Sequence, residues 1–241
     1  MTPPAAAADL ATARLSGTRL SSALYDGIKE RLLEGQYAAG EKIVVETLRH
    51  EFGVSKQPVM EALRRLSSDK LVHIVPQVGC EVAQYNPREI EDFFLLFGGA
   101  EGAIAAIAAE RRTDAQLAQL RIAAETADHL IESADPHTRA HGYRLHNREF
   151  HAMIHTMAQS RIMAETSHRM WDMSDFLINT AGIANPLAEA VSERQHDHHL
   201  ILDALAERDT AAARRAMEEH ITGTIRIIRA GAASGIAGQP G

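Results

Sequence analysis

Apolar residues recur at helical spacing through most of this chain, whereas strand spacing is confined to one short stretch. Leu20, Leu24, Ile28 and Leu32 share one face of a predicted first helix, and Gly35 ends it. The balance between the two spacings predicts a fold that is mainly α-helical.

Two shorter helices are predicted next. Leu48 and Phe52 face inward in a helix over Glu46–Phe52, and Gly53 ends it. Ser55 then caps a third helix, whose first turn contains a proline where a missing N–H is harmless. The apolar positions of this third helix are Val59, Ala62, Leu63 and Leu66.

A short two-stranded hairpin is predicted after the third helix. Val72 and Ile74 lie on one strand and Val78 and Val82 on the other. Pro76-Gln77 forms the turn between the strands, and Gly79 follows Val78. Three helices and a hairpin within about 65 residues are typical of a winged helix-turn-helix. The pattern therefore predicts an N-terminal DNA-binding domain of this type.

Strand patterns are absent beyond Asn86-Pro87, a pair that marks a predicted domain boundary. Helical periodicity continues in six segments and predicts a C-terminal all-helical bundle. These segments are Glu89–Arg111, Asp114–Glu132, Arg139–Gln159, Ile162–Thr180, Pro186–Glu207 and Thr210–Arg229. We expect the winged helix-turn-helix at 18–85 and the helical domain at 86–230, between disordered tails at 1–17 and 231–241.

Composition narrows the class of protein. The 241 residues are 45% hydrophobic and 24% charged, which suits two globular domains. The longest apolar run, Ala103–Ala109, is too short to span a membrane, and no secretory signal precedes it, so we expect a cytoplasmic protein without a membrane partner. Cys80 is the single cysteine, which excludes an intramolecular disulfide and a cysteine-cluster metal site.

The net charge of −7 is unevenly distributed along the chain. The segment from Arg14 to Tyr85 carries ten basic and nine acidic residues, whereas the part from Asn86 onward carries 15 and 22. The acidity therefore belongs to the helical half, and the front of the chain is compatible with nucleic acid.

Polar residues at the start of the third helix are the first candidates for DNA contact, because the second helix of a helix-turn-helix presents its N-terminal residues to base edges. Lysine and glutamine can pair with guanine and adenine, serine and arginine with phosphate, and a wing glycine permits close approach. Each of these residues could instead be a helix cap or a solvated side chain. The predicted set is Ser55, Lys56, Gln57, Met60, Arg64, Arg65 and Gly79.

The run Gly53-Val-Ser-Lys-Gln-Pro-Val-Met-Glu-Ala-Leu63, followed by Lys70-Leu-Val and Gly79, resembles the GntR family of bacterial transcriptional regulators. Lys56 and Met60 stand where that family has DNA-contacting arginines, and Lys70 stands where it has glycine. Lysine lacks the bidentate fork of arginine, and methionine offers only apolar contact. The resemblance thus implies operator binding with an altered sequence preference.

The resemblance continues through the second half, which is similar to the FCD domain of the FadR-type subfamily. Many FCD domains hold a metal ion through an aspartate, a histidine four residues later and two further histidines. Eleven of the 13 histidines lie beyond Asn86. The matching positions here are Asn147, His151, His198 and His220, with asparagine replacing the aspartate. This donor set favours zinc, with nickel or another transition metal open, and His146, His155, His196 and His199 compete as ligands.

The effector site departs from the family as well. FCD domains often carry an arginine four residues before a glutamate, where it grips a carboxylate; alignment on Glu101 places Phe97 there. Arg144 and Arg148 flank the predicted ligand face and could replace that arginine. The resemblance implies a small-molecule effector, either an organic acid or a less acidic compound held by the metal.

A homodimeric DNA-binding regulator, most commonly a repressor in this family, is the function that the resemblance implies. Three histidines could also support a hydrolase with Glu101 or Glu149 as base, but no nucleophile motif or phosphate loop accompanies them. We therefore predict that the chain is not an enzyme. A regulator in which the metal itself is the signal remains open.

Overall fold

The computed structural model describes residues 17–75, 79–132, 134–181 and 186–236. These residues form two compact units that divide between Tyr85 and Asn86, and the first unit also includes Asn179, Thr180 and Ala181.

The first unit contains three helices and three short strands among its described residues. The elements are α1 (Gly17–Leu33), β1 (Lys42–Ile43), α2 (Val45–Phe52), α3 (Lys56–Ser68), β2 (Val72–Val75) and β3 (Gly79–Val82). This order confirms the predicted winged helix-turn-helix. The turn between α2 and α3 forms because Gly53 adopts a left-handed conformation with φ 63°, and its N–H bonds the Arg49 carbonyl.

The core of this unit follows the predicted apolar faces. Its buried side chains include Leu24, Ile28, Leu32, Leu48, Phe52, Val59, Leu63, Leu66, Val72 and Val82. The aliphatic faces of α1 and α3 pack on each other. This packing fixes the direction in which α3 presents its polar N-terminus.

The strands form one antiparallel sheet in the order β1-β3-β2. Val72 pairs with Val82 in the hairpin, and Ile43 pairs with Cys80 on the other side of β3. Strand β1 was missed because two residues cannot show alternation. Val78, predicted to lie on the second strand of the hairpin, falls outside the described residues.

The second unit is all-helical in its described residues, as predicted. It comprises α4 (Pro87–Arg111), α5 (Asp114–Asp128), a 3₁₀ helix (His129–Glu132), α6 (Pro136–Ala158), α7 (Arg161–Asn179), α8 (Val191–Ala206) and α9 (Thr210–Ile236). The predicted start of the fifth segment at Pro186 is wrong, because residues 186–190 form turns before α8.

Side-chain caps set several of these boundaries. The Asn86 side chain accepts from the Glu89 N–H, and the Glu89 carboxylate accepts from the Asn86 N–H, which closes a capping box at the start of α4. Thr113 and Gln116 form the same arrangement at α5. The predicted boundary at Asn86-Pro87 is therefore a helix start.

Helix α4 packs extensively against α9 and also contacts α6. By length and composition alone, this helix is apolar enough to cross a membrane, with a mean hydropathy of 1.5 over its best window, but half of that window is buried within the protein. Core helices have this character because they are enclosed by other helices.

The predicted C-terminal tail at 231–241 is too long. Helix α9 continues to Ile236, because the alanines beyond Arg229 favour a helical backbone. Residues 237–241 and 1–16 lie outside the described part of the chain.

A buried arginine determines how α8 meets α9. Arg194 in α8 is 2% exposed, ion-pairs with Asp197 at 2.6 Å and donates to the His220 carbonyl. Gly223 in α9 leaves room for its guanidinium, since a Cβ at this position would lie 2.7 Å from an Arg194 nitrogen. The guanidinium is held in place by its buried contacts with Asp197 and the His220 carbonyl.

Replacing Gly223→Ala should therefore lower the free energy of unfolding by about 1–3 kcal/mol, because the new methyl group overpacks a fixed side chain. The matched control is Gly27→Ala in α1, where a Cβ meets only ordinary contacts at 3.7 Å. That variant should gain about 0.5–1 kcal/mol from the helix propensity of alanine. Differential scanning calorimetry tests both, and equal melting temperatures for the two variants would contradict the packing argument.

Candidate metal centre and nucleic-acid interface

Three helices of the second unit bring the predicted metal ligands together. Asn147 and His151 lie one turn apart on α6, His198 lies on α8 and His220 on α9. All four are buried, with at most 8% exposure. One ring nitrogen from each histidine lies within 4.8 Å of the others. The histidines thus form a compact cluster whose members are remote in sequence.

Two short separations define the centre of the cluster. His198 Nε2 lies 3.0 Å from Asn147 Oδ1, and His151 Nε2 lies 3.3 Å from His220 Nε2. The Tyr143 hydroxyl donates to the same Asn147 oxygen at 3.0 Å. The amide oxygen of Asn147 therefore points toward the histidines.

The partner of His198 Nδ1, the ring nitrogen that points away from the cluster, identifies the tautomer of this histidine. The Gln195 side-chain amide donates to the Ala124 carbonyl at 3.2 Å and to Asp128 at 3.1 Å, so its oxygen must face the other way. That oxygen lies 2.8 Å from His198 Nδ1, which consequently carries the proton and donates. The Nε2 lone pair of His198 is then directed into the cluster.

The Nδ1 atoms of the other two histidines also lie near side-chain oxygens. His220 Nδ1 lies 3.3 Å from an Asp197 oxygen, and His151 Nδ1 lies 3.6 Å from a Glu101 oxygen. His151 Nδ1 makes no hydrogen bond with any described residue. The Nδ1 atoms of His198 and His220 lie within hydrogen-bond distance of oxygens, which directs the Nε2 lone pairs of these two rings into the cluster, as in protein metal sites with outer hydrogen-bond partners.

Burial makes these imidazoles neutral. Loss of solvent lowers the pKa of His151 and holds the pKa of His198 and of His220 well below its ordinary value. Neutral imidazole is the form that binds metal.

A cation fits the centre better than a proton does. His198 Nε2 and Asn147 Oδ1 are both acceptors and lie 3.0 Å apart, and His151 Nε2 lies 3.3 Å from His220 Nε2. Tetrahedral zinc with nitrogen ligands spaces its donor atoms by about 3.3 Å. The residues present therefore suit a divalent metal.

The four competing histidines lie elsewhere. His155 contacts Glu101 at 3.0 Å and His199 contacts Asp128 at 3.0 Å. His146 lies 3.8 Å from the exposed Glu149. His196 is exposed. Sequence spacing could not separate these candidates from the cluster, because burial and tertiary partners distinguish them.

Glu101 lies beside the cluster, although the sequence suggested it only as a hydrolase base and as the glutamate that aligns the effector site. This fully buried carboxylate contacts His155 at 3.0 Å and accepts from the Ser167 hydroxyl. Although burial raises it, the neighbouring His151 and His155 hold the pKa of Glu101 at about 2. The sequence signal was a single charged residue within the otherwise apolar stretch from Phe93 to Ala109.

The predicted effector residues occupy different environments. Phe97 is fully buried and meets the Trp171 ring edge-to-face at 4.9 Å, so it belongs to the core. Arg144 lies 3.7 Å from Asp175, and Arg148 donates to Asp175 at 2.9 Å and to Asp172 at 3.0 Å. Arg148 also lines a cavity of about 510 Å³, which neither Phe97 nor Arg144 lines.

In the first unit, the predicted DNA-contacting residues surround the start of α3. Ser55, Lys56 and Gln57 are exposed, and the Ser55 side chain makes no capping hydrogen bond. Lys56 and Met60 line a groove of about 560 Å³ together with Gly79. The structure thus brings the helix and the hairpin to one surface.

Gly79 is the first residue of β3 and not the hairpin tip. It is exposed, pairs with Val75 and has φ 137°, a conformation that side chains rarely adopt. The same groove is also lined by Val44, which follows β1, by Glu46 in α2 and by Glu81 in β3. The sequence did not indicate these residues, because they lie outside α3 and meet it only in the folded unit.

The two arginines farther along α3 differ. Both are exposed, and the Arg65 guanidinium in addition stacks over the Tyr25 ring at 4.0 Å. Contact of either with phosphate stays a prediction. Lys70, in the turn before β2, has φ 66°, which explains why glycine suits this position.

Both units match known protein families. Residues 20–82 match the family described as "Bacterial regulatory proteins, gntR family", and residues 100–223 match the FCD domain. The chain belongs to the GntR family. Its FCD domain places it among the regulators of GntR/FCD type, which bind operator DNA and small-molecule effectors, and FCD domains often bind metal.

Relatives of this GntR protein match over nearly their whole length. The HTH-type transcriptional repressor GlaR of Escherichia coli K12 is 25% identical over 206 residues, covering 85% of this chain and 94% of GlaR. The HTH-type transcriptional regulator McbR of the same strain is 25% identical over 218 residues, covering 90% and 96%. These relatives confirm a DNA-binding transcriptional regulator and not an enzyme.

Solved structures share the fold. E. coli McbR/YncC superposes with a TM-score of 0.72 at 24% identity, over 88% of this chain and 97% of that one. A putative GntR regulator from Rhodococcus sp. RHA1 gives 0.68 at 17% identity, over 87% and 97%.

The two adjacent histidines of α8 offer a matched test of the metal centre. His198→Ala should lower metal affinity at least about tenfold and reduce thermal stability, because metal binding contributes to folding. His199→Ala should leave both unchanged, since that ring lies outside the cluster, against Asp128. Elemental analysis of dialysed protein and calorimetry measure the two effects. Equal metal content in both variants would show that His198 is not a ligand.

Proposed function

We propose that this GntR regulator is a metal-loaded repressor whose operator binding is altered by a small-molecule effector. The observation that carries the proposal is the convergence of three neutral histidines with the Asn147 oxygen at the centre of the FCD domain. The name of GlaR, a transcriptional repressor, supports repression. Because its operator is chromosomal DNA, we expect the protein to act in the cytoplasm.

Asn147, His151, His198 and His220 would hold the metal, with zinc favoured and nickel or another transition metal as alternatives. When bound, such an ion supplies a fixed positive charge and an open coordination position for an anionic or neutral effector. Gln195, Asp197 and Glu101 lie beside the Nδ1 atoms of the three histidines and orient their rings. The asparagine oxygen is a neutral donor, which weakens the site relative to a carboxylate.

Operator recognition would rest on the exposed start of α3 and on the wing. Lys56 and Gln57 can donate to base edges, and Met60 can contact a thymine methyl group. Glu46 and Glu81 line the same groove and repel phosphate, so the groove suits base edges more than backbone. A homodimer would present two such surfaces to paired half-sites.

Two arginine variants test DNA binding. Arg64→Gln should weaken binding to specific and competitor DNA alike and reduce the slope of log affinity against log salt by about 1, because a phosphate contact carries no sequence preference. Arg121→Gln, an exposed arginine on α5, is the control and should change neither quantity. Fluorescence anisotropy with DNA from the protein's own promoter region measures both. Absence of preference over competitor DNA in the unmodified protein would contradict operator binding.

A second candidate function is a metal-responsive regulator in which the ion is the signal. The neutral amide of Asn147 favours it, because a weaker site exchanges metal more readily than one with a carboxylate. Under the effector-controlled proposal, chelation should lower thermal stability while the remaining folded protein still binds operator. Reversible loss of operator binding at unchanged circular dichroism would instead establish the metal as the signal.

A further inference from the structure

The side chain of Asn147 can meet the histidine cluster in two ways. Its amide has an oxygen that accepts hydrogen bonds and a nitrogen that carries two hydrogens, whereas the carboxylate of an aspartate has acceptors alone. A half-turn of the amide exchanges its oxygen and nitrogen while both atoms keep nearly the same positions. The group that faces the cluster is therefore either an oxygen or an NH₂.

With its oxygen inward, as in the structure, Asn147 suits a metal ion. The oxygen lies 3.0 Å from His198 Nε2 and accepts from the Tyr143 hydroxyl at 3.0 Å. Because Gln195 keeps the proton of His198 on Nδ1, the Nε2 atom presents a lone pair. Two facing acceptors need a cation between them, and a metal ion supplies that charge.

With its nitrogen inward, the same amide needs no metal. An NH₂ group at this position lies within hydrogen-bond distance of two acceptors, His198 Nε2 and the Tyr143 oxygen, and it has one hydrogen for each. All three side chains are buried, where an unpaired polar atom is costly. Rotation of the amide thus replaces a metal ligand by two hydrogen bonds.

The remaining two histidines allow a matching change. Asp197 ion-pairs with Arg194 at 2.6 Å and accepts from His220 Nδ1 at 3.3 Å. The lone pair of His220 is consequently on Nε2, which lies 3.3 Å from His151 Nε2. A neutral His151 that carries its proton on Nε2 donates to this lone pair and leaves its own Nδ1 without a hydrogen.

The surroundings of His151 Nδ1 agree with such a tautomer. This buried atom makes no hydrogen bond with any described residue, and a Glu101 oxygen lies 3.6 Å from it. Binding of an ion by Nε2 requires the proton to be on Nδ1 instead, where it points toward the Glu101 carboxylate. Glu101 is therefore placed to stabilise the tautomer that binds metal.

We propose that Asn147 is a two-position ligand that lets the centre gain and lose its metal without leaving the inward-facing nitrogens unpaired. When a metal is bound, the amide oxygen faces it. Without metal, the amide nitrogen donates to His198 and Tyr143 while His151 donates to His220. The inference rests on the proposed metal-loaded function and names the residue that makes loading reversible.

Nuclear magnetic resonance of the full-length protein detects the rotation directly. The asparagines of the chain are Asn86, Asn147, Asn179 and Asn185, so ¹⁵N-asparagine labelling gives few side-chain amide signals. With ¹⁵N-histidine added, protein treated with EDTA should show a coupling across the hydrogen bond between the Asn147 amide nitrogen and a histidine ring nitrogen. Stoichiometric zinc should abolish this coupling, because the amide oxygen then faces the cluster.

The variant Asn147→Asp tests the energetic side of the proposal. A carboxylate should bind zinc at least about tenfold more tightly than the neutral amide. In EDTA-treated protein, the same substitution should lower the melting temperature by about 3 °C or more, since a carboxylate oxygen opposes the His198 lone pair and has no hydrogen to donate. Competition with a zinc-binding dye and differential scanning calorimetry measure the two effects.

The matched control is Asn86→Asp. Asn86 is an exposed helix cap that acts through its oxygen, and aspartate caps a helix equally well. This variant should therefore keep the zinc affinity of the unmodified protein and its melting temperature in EDTA. The coupling experiment is carried out on the unmodified protein, so its result is independent of how well Asn147→Asp folds.

Three outcomes would overturn the inference: absence of the coupling in EDTA, its persistence with zinc bound, or unfolding of the unmodified protein on EDTA treatment. Equal melting temperatures of the unmodified protein and Asn147→Asp in EDTA would contradict it as well. Each of these results leaves the proposed function standing if metal still binds through His198. Failure of the unmodified protein to bind zinc, nickel or another transition metal is the separate failure of the proposed metal-loaded function.

Discussion

Removal of three imidazole rings from water at the centre of the helical domain is the constraint on which the rest of this unit depends. A buried polar group is costly unless it is hydrogen-bonded, and a buried charge is costlier still. The rings are therefore neutral, and oxygens lie within 3.6 Å of their Nδ1 atoms. Because those oxygens come from α4 and α8 while the rings come from α6, α8 and α9, four helices must meet in one arrangement.

The partners of the histidines are themselves held in place. Asp197 forms an ion pair with the buried Arg194. The Arg194 guanidinium has room only because residue 223 is glycine. Gln195 is oriented by Asp128 and a backbone carbonyl on α5. Glu101 connects outward to a histidine on the wall of the cavity between α6 and α7. Side-chain contacts thus extend from the histidine cluster through Glu101 to His155 at the surface between α6 and α7.

The DNA-binding unit shows a comparable division between scaffold and specificity. Aliphatic packing of α1 against α3 fixes the scaffold, and the residues that would meet base edges are exposed and carry little structural role. Lys56 and Met60 can differ from the family's arginines without cost to the fold. The groove that Lys56 and Met60 line also contains Glu46 and Glu81.

The sequence by itself determined the fold class, most of the helices and the four residues that the family pattern marks as metal ligands, because helical periodicity and motif spacing are local properties. It did not determine the distances between these histidines, the tautomer fixed by Gln195, or the contacts that Glu101 makes. It also missed β1, the extension of α9 and the cavity beside Trp171. Only the tertiary structure decided these features, since each depends on contacts between residues far apart in the chain or on a signal too short to show a period.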